Sequence, residues 1–365
     1  MNQQSLLLVL LILITACTGK TDVAINEPAI KLRSQLKALG TDYIIFGHQD
    51  VFSFGENCDT DPYRSNVKDL AGQYPAMFGW ELGHIGEQNN IDNVPFDSIR
   101  SYVKYVNSLG GINTFSWHAK NPISGYDAWI LNNPDVESML PTGKNHQLLI
   151  NKLDFIAEFL GSLKTTDNNP IPLIFRPWHD MNADWFWWGT STCSNEEFIS
   201  LFRFTVNYLR DEKGLKNLLI AYSPNVGQNF EQEYLTRYPG DDVVDILGLN
   251  DYNDFITNRL DLIVQRISFI VNLANKKNKI SAFTETGNNQ LKINNWFTTN
   301  LLPVLKANEK CRSLAYVMVW KNKNFDIFNV PYKGHEQSTD FKVFVNDKMI
   351  LLLDDYKKVT DNNNQ

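Results

Sequence analysis

The sequence is poor in cysteine and has no concentrated positive charge, and each shortage excludes a class of protein. Beyond Cys17, only Cys58, Cys193 and Cys311 are present, too few for a disulfide framework and without a zinc-binding spacing. At most one bridge forms, between Cys58 and Cys193, unless all three are packing residues. The net charge is −7 and no Lys or Arg run exceeds two residues. Nucleic acid is therefore not an expected partner, because phosphate binding needs a basic face, and a neutral substrate fits better.

Motifs that would indicate other chemistry are also missing. No GxGxxG follows the first strand-like run, which argues against an open doubly wound sheet that binds a dinucleotide. There is no GxSxG for a serine nucleophile and no HExxH for zinc. A metal site built from His118, His179 and Asp180 is the alternative, but no ligand spacing supports it. The sequence predicts a protein without a metal or other cofactor.

The N-terminus carries an apolar run, SLLLVLLILIT, of ~10 residues, too short to span a bilayer and typical of a signal peptide. It ends in Ile14-Thr15-Ala16-Cys17, which resembles the lipobox of bacterial lipoproteins, although the preceding MNQQ lacks Lys and Arg. We therefore predict a signal peptide over 1–16, lipidation of Cys17 and a lipid-anchored protein in the bacterial cell envelope, at the outer membrane and facing the periplasm or the surface. An ordinary cleaved signal or a buried apolar segment is the alternative.

Between a polar linker at 17–28 and a disordered tail at 359–365, one domain is predicted over 29–358. It contains eight apolar runs, each followed by polar or aromatic residues. The runs are Tyr43–Gly47, Ala76–Gly79, Ile112–Ser116, Pro172–Arg176, Leu218–Tyr222, Val244–Leu249, Ile280–Phe283 and Ala315–Val319. Intervening segments have apolar residues at helical spacing: Ile99–Leu109, Asn151–Leu163, Glu196–Leu209 and Leu260–Leu273. Eight alternating strands and helices predict an α/β fold, a (β/α)8 TIM barrel, in preference to an open doubly wound sheet.

Two carboxylates follow strands of this barrel, Asp180 after the fourth run and Glu285 after the seventh. Active sites of such barrels lie at the C-terminal ends of the strands. A facing pair of carboxyl groups is what cleavage of a glycosidic bond requires, one as acid and base and the other as nucleophile or base. Arg176 is expected near the barrel mouth, where its guanidinium would keep a nucleophilic carboxylate ionised.

Aromatic and histidine side chains follow the same strand ends. Seven tryptophans lie there: Trp80, Trp117, Trp178, Trp185, Trp187, Trp188 and Trp320. Flat rings can stack on sugars, but large aromatics also dominate cores, so half the rings of Trp185–Trp188 are assigned to the core, and Trp185 and Trp320 to the substrate. His118 and His179 can bind hydroxyl groups. For His48 and His84, packing and functional roles stay equally open, and His146 and His335 lie in predicted loops.

Several motifs together closely resemble the glycoside hydrolase family 26 β-mannanases. They are FGHQD, PAMFGWELGHI, GGINTFSWHAKNP, FRPWHDMNADWFWWG, YSPN, YPGDDVVDILGLNDY, FTETG, MVWKN and VPYKGHEQSTDF, in family order across residues 32–350. The resemblance implies a barrel that hydrolyses β-1,4-mannosidic bonds with retention and without metal. It implies that Glu285 is the nucleophile and position 180 the acid/base. His118, His179, Trp185, Tyr252 and Trp320 fall on positions that bind sugar or orient the catalytic pair.

Position 180 departs from the family pattern, which has His-Glu where this chain has His179-Asp180. Aspartate is one methylene shorter, so its oxygens retreat by roughly 1–1.5 Å from an unchanged backbone. A shifted loop restores the reach, a water bridges the gap, or turnover is mostly lost and the groove only binds mannan. Asp184 is a substitute acid or, as its position beyond the strand end favours, a solvated loop charge.

The sequence therefore predicts a monomeric, lipid-anchored retaining hydrolase of mannan, glucomannan or galactomannan. A different β-glycanase, such as a xylanase or mixed-linkage glucanase, is the alternative of the same class. A surface lipoprotein that binds mannan on a catalytically weakened scaffold is the alternative of another class.

Overall fold

The computed structural model describes residues 25–54, 61–324 and 326–362. The predicted signal peptide, Cys17 and Cys58 lie outside these residues. Eight parallel strands form the centre of the molecule: β1 (Ile44–Gln49), β2 (Met77–Glu81), β3 (Ile112–Ser116), β4 (Leu173–Arg176), β5 (Leu218–Tyr222), β6 (Ile246–Asn250), β7 (Ile280–Thr286) and β8 (Tyr316–Val319). All eight predicted strands are therefore present, with ends shifted by a few residues.

The sheet closes on itself because β1 pairs with strands from both ends of the order. Gly47 is the register partner of Met77 on β2 and of Met318 on β8. A short further strand, β9 (Ile350–Leu351), also runs parallel to β1. The predicted (β/α)8 barrel is confirmed, and the open doubly wound sheet is excluded by this closure.

Most of the helices follow a strand and surround the barrel. The helices are α1 (Glu27–Ala38), α2 (Asn66–Ala71), α3 (Phe96–Ser108), α4 (Val136–Met139), α5 (His146–Gly161), α6 (Asn195–Asn207), α7 (Phe230–Glu233), α8 (Asn253–Ile256), α9 (Leu260–Lys277), α10 (Leu302–Lys306), α11 (Glu309–Arg312), α12 (Ser338–Val345) and α13 (Leu353–Asn362). Each of the four segments predicted from helical spacing overlaps one of them. Within the described residues, no helix is both long and apolar enough to cross a membrane.

Alternation along the strands divides the core into two clusters. On β4, Leu173 and Phe175 pack outward with the helices, whereas Ile174 belongs to the cluster inside the barrel. Leu32 and Leu36 of α1 pack against this inner cluster. Since successive side chains on a strand point to opposite faces, Arg176 follows Ile174 on the inner side. The strand periodicity thus places a guanidinium in the barrel mouth.

The two ends of the described chain are helical. Helix α1 begins at Glu27 and is capped by the Asn26 side chain, which accepts a hydrogen bond from the backbone of Ala29. Helix α13 continues to Asn362, which corrects the predicted disordered tail over residues 359–362. Cys193 and Cys311 are buried free thiols, so the suggested Cys58–Cys193 bridge does not form at Cys193.

Candidate active site

Asp180 is held in a tight turn that follows β4. Trp178 and Asp180 both adopt the left-handed backbone region, with φ of 53° and 54°, which Asp and Asn tolerate better than most residues. The backbone N–H of Asp180 donates to the carbonyl of Ser223 over 2.9 Å. Its Oδ1 accepts a hydrogen bond of 2.7 Å from Nδ2 of Asn250. Both contacts fix the carboxyl group at the ends of the neighbouring strands.

The surroundings of Asp180 favour its protonated form. Burial raises the pKa of this carboxyl group, and the nearby Glu285 raises it further. The Asn250 hydrogen bond and the Arg176 charge oppose this effect, and the resulting pKa is about 7. A carboxyl group with a pKa near neutrality can both give and take a proton, which is the property that a general acid/base needs.

Glu285 lies on β7 between a hydroxyl group and a guanidinium. The Tyr252 hydroxyl donates to Oε1 over 3.0 Å, and Nη1 of Arg176 forms an ion pair with Oε2 at 2.7 Å. Burial and the Glu285 charge raise the pKa of Tyr252 well above its ordinary value, so this hydroxyl keeps its proton and remains a donor. Arg176 and Glu285 are both nearly fully buried.

Gly287 permits the close packing behind Glu285. A Cβ at this position would lie 2.3 Å from Oδ1 of Asn329 and 3.1 Å from the ring of Tyr252. Any larger residue would therefore displace Asn329 or the tyrosine that bonds the carboxylate. The glycine of the TETG motif is explained by this contact.

Asn250 neighbours both carboxyl groups, and no sequence pattern singled it out. On β6 it is the register partner of Glu285 on β7, while its amide reaches Asp180 on the other side. Its Oδ1 accepts from the Ser223 hydroxyl at 2.7 Å and from the Thr284 hydroxyl at 2.9 Å. No local motif marks such a residue, because its partners come from three other strand ends.

Glu81 is a second residue that sequence reasoning missed. It is fully buried at the end of β2 and accepts four hydrogen bonds, two on each oxygen. Two of these come from His118, whose backbone N–H and Nδ1 lie 2.8 Å from the carboxylate. Burial raises the pKa of Glu81, but His118 and Ser116 lower it more, and it lies well below its usual range. Since a carboxylate only accepts, His118 carries its proton on Nδ1.

His179 lies beside His118 in the barrel mouth, and their ring centroids are 4.6 Å apart. Burial lowers the pKa of His179 well below its ordinary value, and the nearby His118 and Arg176 lower it further, so the ring is neutral. Within the described part of the chain, Nδ1 of His179 has no hydrogen-bond partner although it is buried. An unpaired buried ring nitrogen is a candidate partner for a bound hydroxyl group.

The tryptophans separate into buried rings and partly exposed rings. Trp80, Trp117, Trp178, Trp187 and Trp188 are almost completely buried, whereas Trp185 is 40% exposed and Trp320 is half-buried. Three of the four rings in Trp185–Trp188 therefore belong to the core, more than the predicted half. Trp129 was not predicted: it is 49% exposed and stacks on His118 with centroids 5.1 Å apart. It lies in a loop, away from any strand end.

The remaining candidates differ in their surroundings. His48 is buried and its pKa is lowered to about 3 by burial. His84 pairs with Asp127 over 2.7 Å, outside the contacts of the catalytic pair. Asp184 is exposed, as a solvated loop charge would be. Among the described residues, no three His, Cys, Asp or Glu side chains are grouped as metal ligands would be.

The chain is similar to known glycoside hydrolases in both family pattern and sequence. A family model described as glycosyl hydrolase family 26 matches residues 25–339, which contain every side chain of this site. A mannan endo-1,4-beta-mannosidase of Bifidobacterium adolescentis is 32% identical over 91% of this chain and 35% of its own length. One from Bacillus subtilis is 26% identical over 60% of this chain and 60% of its own length. The chain thus spans less than two thirds of either relative.

Solved structures match over more of their length. A GH26 beta-mannanase from Bacteroides ovatus has a TM-score of 0.85 and 36% identity, covering 90% of this chain and 96% of that chain. A modular endo-beta-1,4-mannanase from Cellulomonas fimi has a TM-score of 0.84 and 34% identity, covering 92% of this chain and 77% of that chain.

Proposed function

Since the chain belongs to glycosyl hydrolase family 26, we propose that it hydrolyses β-1,4-mannosidic bonds in mannan, glucomannan or galactomannan with retention of configuration. The observation that carries the proposal is the differing environment of two buried carboxyl groups. Glu285 is paired with Arg176 and Tyr252, whereas Asp180 has a pKa raised to about 7. Carboxyl groups kept in different protonation states can divide the work of nucleophile and acid/base.

In the first step, Oε1 or Oε2 of Glu285 attacks the anomeric carbon and the bond to the leaving glycosidic oxygen breaks. Asp180 gives its proton to that oxygen, so the departing sugar leaves as a neutral alcohol. The products are a covalent mannosyl ester of Glu285 and an ionised Asp180. Arg176, which neutralises the Glu285 charge before attack, then remains beside the ester.

In the second step, ionised Asp180 removes a proton from water while the water oxygen attacks the anomeric carbon. The ester bond breaks, Glu285 regains its negative charge, and Asp180 is again protonated. Tyr252 and Arg176 stabilise the returning carboxylate by a hydrogen bond and an ion pair. Two inversions at the same carbon give net retention.

Sugar rings would be held by aromatic and histidine side chains around the mouth. Trp185 and Trp320 offer ring faces to the C–H faces of mannose. His118 and His179 offer ring nitrogens to its hydroxyl groups, and we assign both to substrate binding close to the cleaved bond.

The test is release of reducing ends from galactomannan, glucomannan and xylan by the wild type, Glu285→Ala and Asp180→Ala. We expect the wild type to hydrolyse mannan and Glu285→Ala to lose this activity. Preference for xylan would indicate a different β-glycanase. Retention on a mannan affinity gel without any hydrolysis would show a binding protein and would refute the proposed enzyme.

We also propose that the protein is a monomer attached to the bacterial cell envelope by a lipid on Cys17. Support for the lipid anchor comes from the lipobox-like residues Ile14–Cys17, which lie outside the described structure. Fractionation of cells that express the wild type or Cys17→Ala tests the anchor, and unchanged membrane association of the variant would refute it. Light scattering of the purified domain tests the monomer.

A further inference from the structure

We propose that Asn250 is the positioning residue of Asp180: its amide holds one carboxyl oxygen, leaves the other for the substrate, and makes the site specific for aspartate. The inference rests on the proposed function, because it assigns Asp180 the role of acid/base. It explains how a side chain one methylene shorter than glutamate can act there.

The orientation of the Asn250 amide is fixed from both sides. Its Oδ1 accepts a hydrogen bond of 2.7 Å from the Ser223 hydroxyl, beside the Thr284 hydroxyl, which lies 2.9 Å from both Oδ1 and the carbonyl of Leu249. Nδ2 is therefore turned towards Asp180. A flipped amide would place its oxygen against an ionised carboxylate, which only accepts hydrogen bonds. The backbone of Asn250 is held as well, because its N–H donates to the carbonyl of Pro224 over 2.9 Å.

This contact gives the two carboxyl oxygens of Asp180 different surroundings. Oδ1 is occupied by Nδ2 at 2.7 Å, and no described residue donates a hydrogen bond to Oδ2. An oxygen that already accepts an N–H is the less favourable place for a proton. The acid proton therefore resides on Oδ2, which is the oxygen left to face the glycosidic bond.

Two features favour aspartate over glutamate at this position. The φ of 54° at Asp180 is in the left-handed region, where aspartate and asparagine are enriched. A glutamate would also carry its carboxyl group roughly 1–1.5 Å further from the same backbone. The carboxyl group of the glutamate would then extend beyond Nδ2 of Asn250 and would not accept its hydrogen bond.

The charged and titratable groups around Asp180 come from several strands. Glu285 on β7 raises its pKa, and Arg176 on β4, His118 after β3 and the Asn250 hydrogen bond lower it. His179, its neighbour in the chain, is neutral. Removal of the Asn250 donor leaves burial and Glu285 less opposed, so protonated Asp180 should persist to higher pH.

The experiment measures kcat/KM against pH for the wild type, Asn250→Ala and Asn250→Asp. Substrates are manno-oligosaccharides and a dinitrophenyl mannobioside, whose leaving group needs no acid. For the oligosaccharides, the basic limb of the wild type should lie near pH 7. In Asn250→Ala it should move up by about one pH unit, since a hydrogen bond to a charged group favours that form by roughly this amount. The aryl substrate should be little affected.

Asn250→Asp is the isosteric variant that keeps the contacts to both hydroxyl groups if the alanine variant fails to fold. It puts a like charge beside Asp180 and should also move the basic limb upward. Asn217→Ala is the matched control: Asn217 is equally buried, and its amide donates to the carbonyl of Ile171 over 2.6 Å, outside the site. That variant should leave the limb unchanged.

Asp180→Glu tests the specificity for aspartate. Because a misplacement of about 1 Å can cost ~10²-fold, we expect at least a ~10-fold lower kcat/KM on oligosaccharides and little change on the aryl substrate. A gain of activity in Asp180→Glu, or an unmoved basic limb in a folded Asn250 variant, would overturn the inference. Full activity of Glu285→Ala would instead refute the proposed function.

Discussion

The hydroxyl of Tyr252 donates to Oε1 of Glu285 over 3.0 Å, while Oε2 of the same carboxylate faces the guanidinium of Arg176 at 2.7 Å. The two oxygens thus have different partners, one neutral and one charged. Tyr252 belongs to the loop after β6 and Glu285 to β7, so their contact depends on the close packing that Gly287 allows. The contact restrains the rotation of the proposed nucleophile and leaves its charge intact.

Tyr252→Phe should lower kcat on manno-oligosaccharides by roughly 10- to 100-fold, because the nucleophile loses the hydrogen bond that orients it and a misplacement of about 1 Å can cost ~10²-fold. The ring remains in place, so the midpoint of thermal unfolding should fall only by the loss of this one hydrogen bond, as it should in the control. Tyr222→Phe is the matched control, since the Tyr222 hydroxyl donates to the carbonyl of Tyr234 over 2.9 Å. It should reduce stability but not kcat. Equal kcat in Tyr252→Phe and the wild type would contradict the assigned contact.

Asp180→Asn should inactivate the protein and stabilise it above neutral pH. Because the folded state raises the pKa of Asp180 from 3.8 to about 7, its contribution to stability is full below pH 3.8 and is lost as the pH rises towards 7. A neutral amide avoids this loss. We expect a gain on the order of 2–4 kcal/mol in the free energy of unfolding at pH 8 and no gain at pH 3.5.

Urea denaturation at both pH values measures this difference. Asp184→Asn serves as control because Asp184 is exposed, and its stability difference from the wild type should be small at either pH. A gain for Asp180→Asn that is the same at pH 3.5 and pH 8 would show that Asp180 does not titrate as assigned.

Glu81→Gln should lower the free energy of unfolding by about 3–5 kcal/mol at pH 7, because four buried hydrogen bonds lose their ionised acceptor. Glutamine has one accepting oxygen, so donors among Gly83, Ser116 and His118 are left unpaired. The lowered pKa of Glu81 means that its contribution is present above its ordinary value of 4.5 and lost as the pH falls. The deficit of the variant should therefore shrink in acid.

Denaturation series at pH 7 and pH 3 test this, with Glu87→Gln as control because the side chain of Glu87 is 51% exposed. The variant should also raise KM for oligosaccharides, since His118 loses the partner that fixes its ring. A stable Glu81→Gln with unchanged KM would argue against a supporting role.

The barrel could be predicted, and the proposed catalytic pair could be singled out, because both depend on local patterns. Continuous apolar runs located β4 and β7, and the polar residues that follow these runs in the sequence identified Asp180 and Glu285. Glu81 escaped prediction because its partner His118 is 37 residues away, and nothing near either residue indicates the pairing. Asn250 escaped for the same reason, since an asparagine after a strand has many possible partners.

The aromatic residues show a further limit of sequence patterns. Trp185 and Trp187 are two residues apart, yet one is exposed and the other is completely buried. The loop that contains them follows neither a strand nor a helix period, so spacing does not predict which ring faces the groove. Trp129 lies in another loop and reaches the site only because that loop folds over His118.

Replacement of Trp185 by alanine should therefore weaken substrate binding, whereas replacement of Trp187 should lower the stability of the fold. Trp185→Ala removes a 40% exposed ring and should raise KM for manno-oligosaccharides by roughly 2- to 10-fold, the equivalent of one aromatic contact of ~0.5–1.5 kcal/mol. Its thermal midpoint should remain that of the wild type. Trp187→Ala removes a buried ring whose Nε1 donates to the carbonyl of Ala119 over 2.8 Å.

That second variant should lose about 3–5 kcal/mol of stability, because truncation of a buried Trp leaves a cavity. Kinetics on oligosaccharides and urea denaturation of the same two preparations separate the effects. A lower stability of Trp185→Ala with unchanged KM would place its ring in the core and remove it from the proposed sugar-binding groove. A raised KM in both variants, with Trp187→Ala fully folded at the assay temperature, would mean that Trp187 orients the groove as well as filling the core.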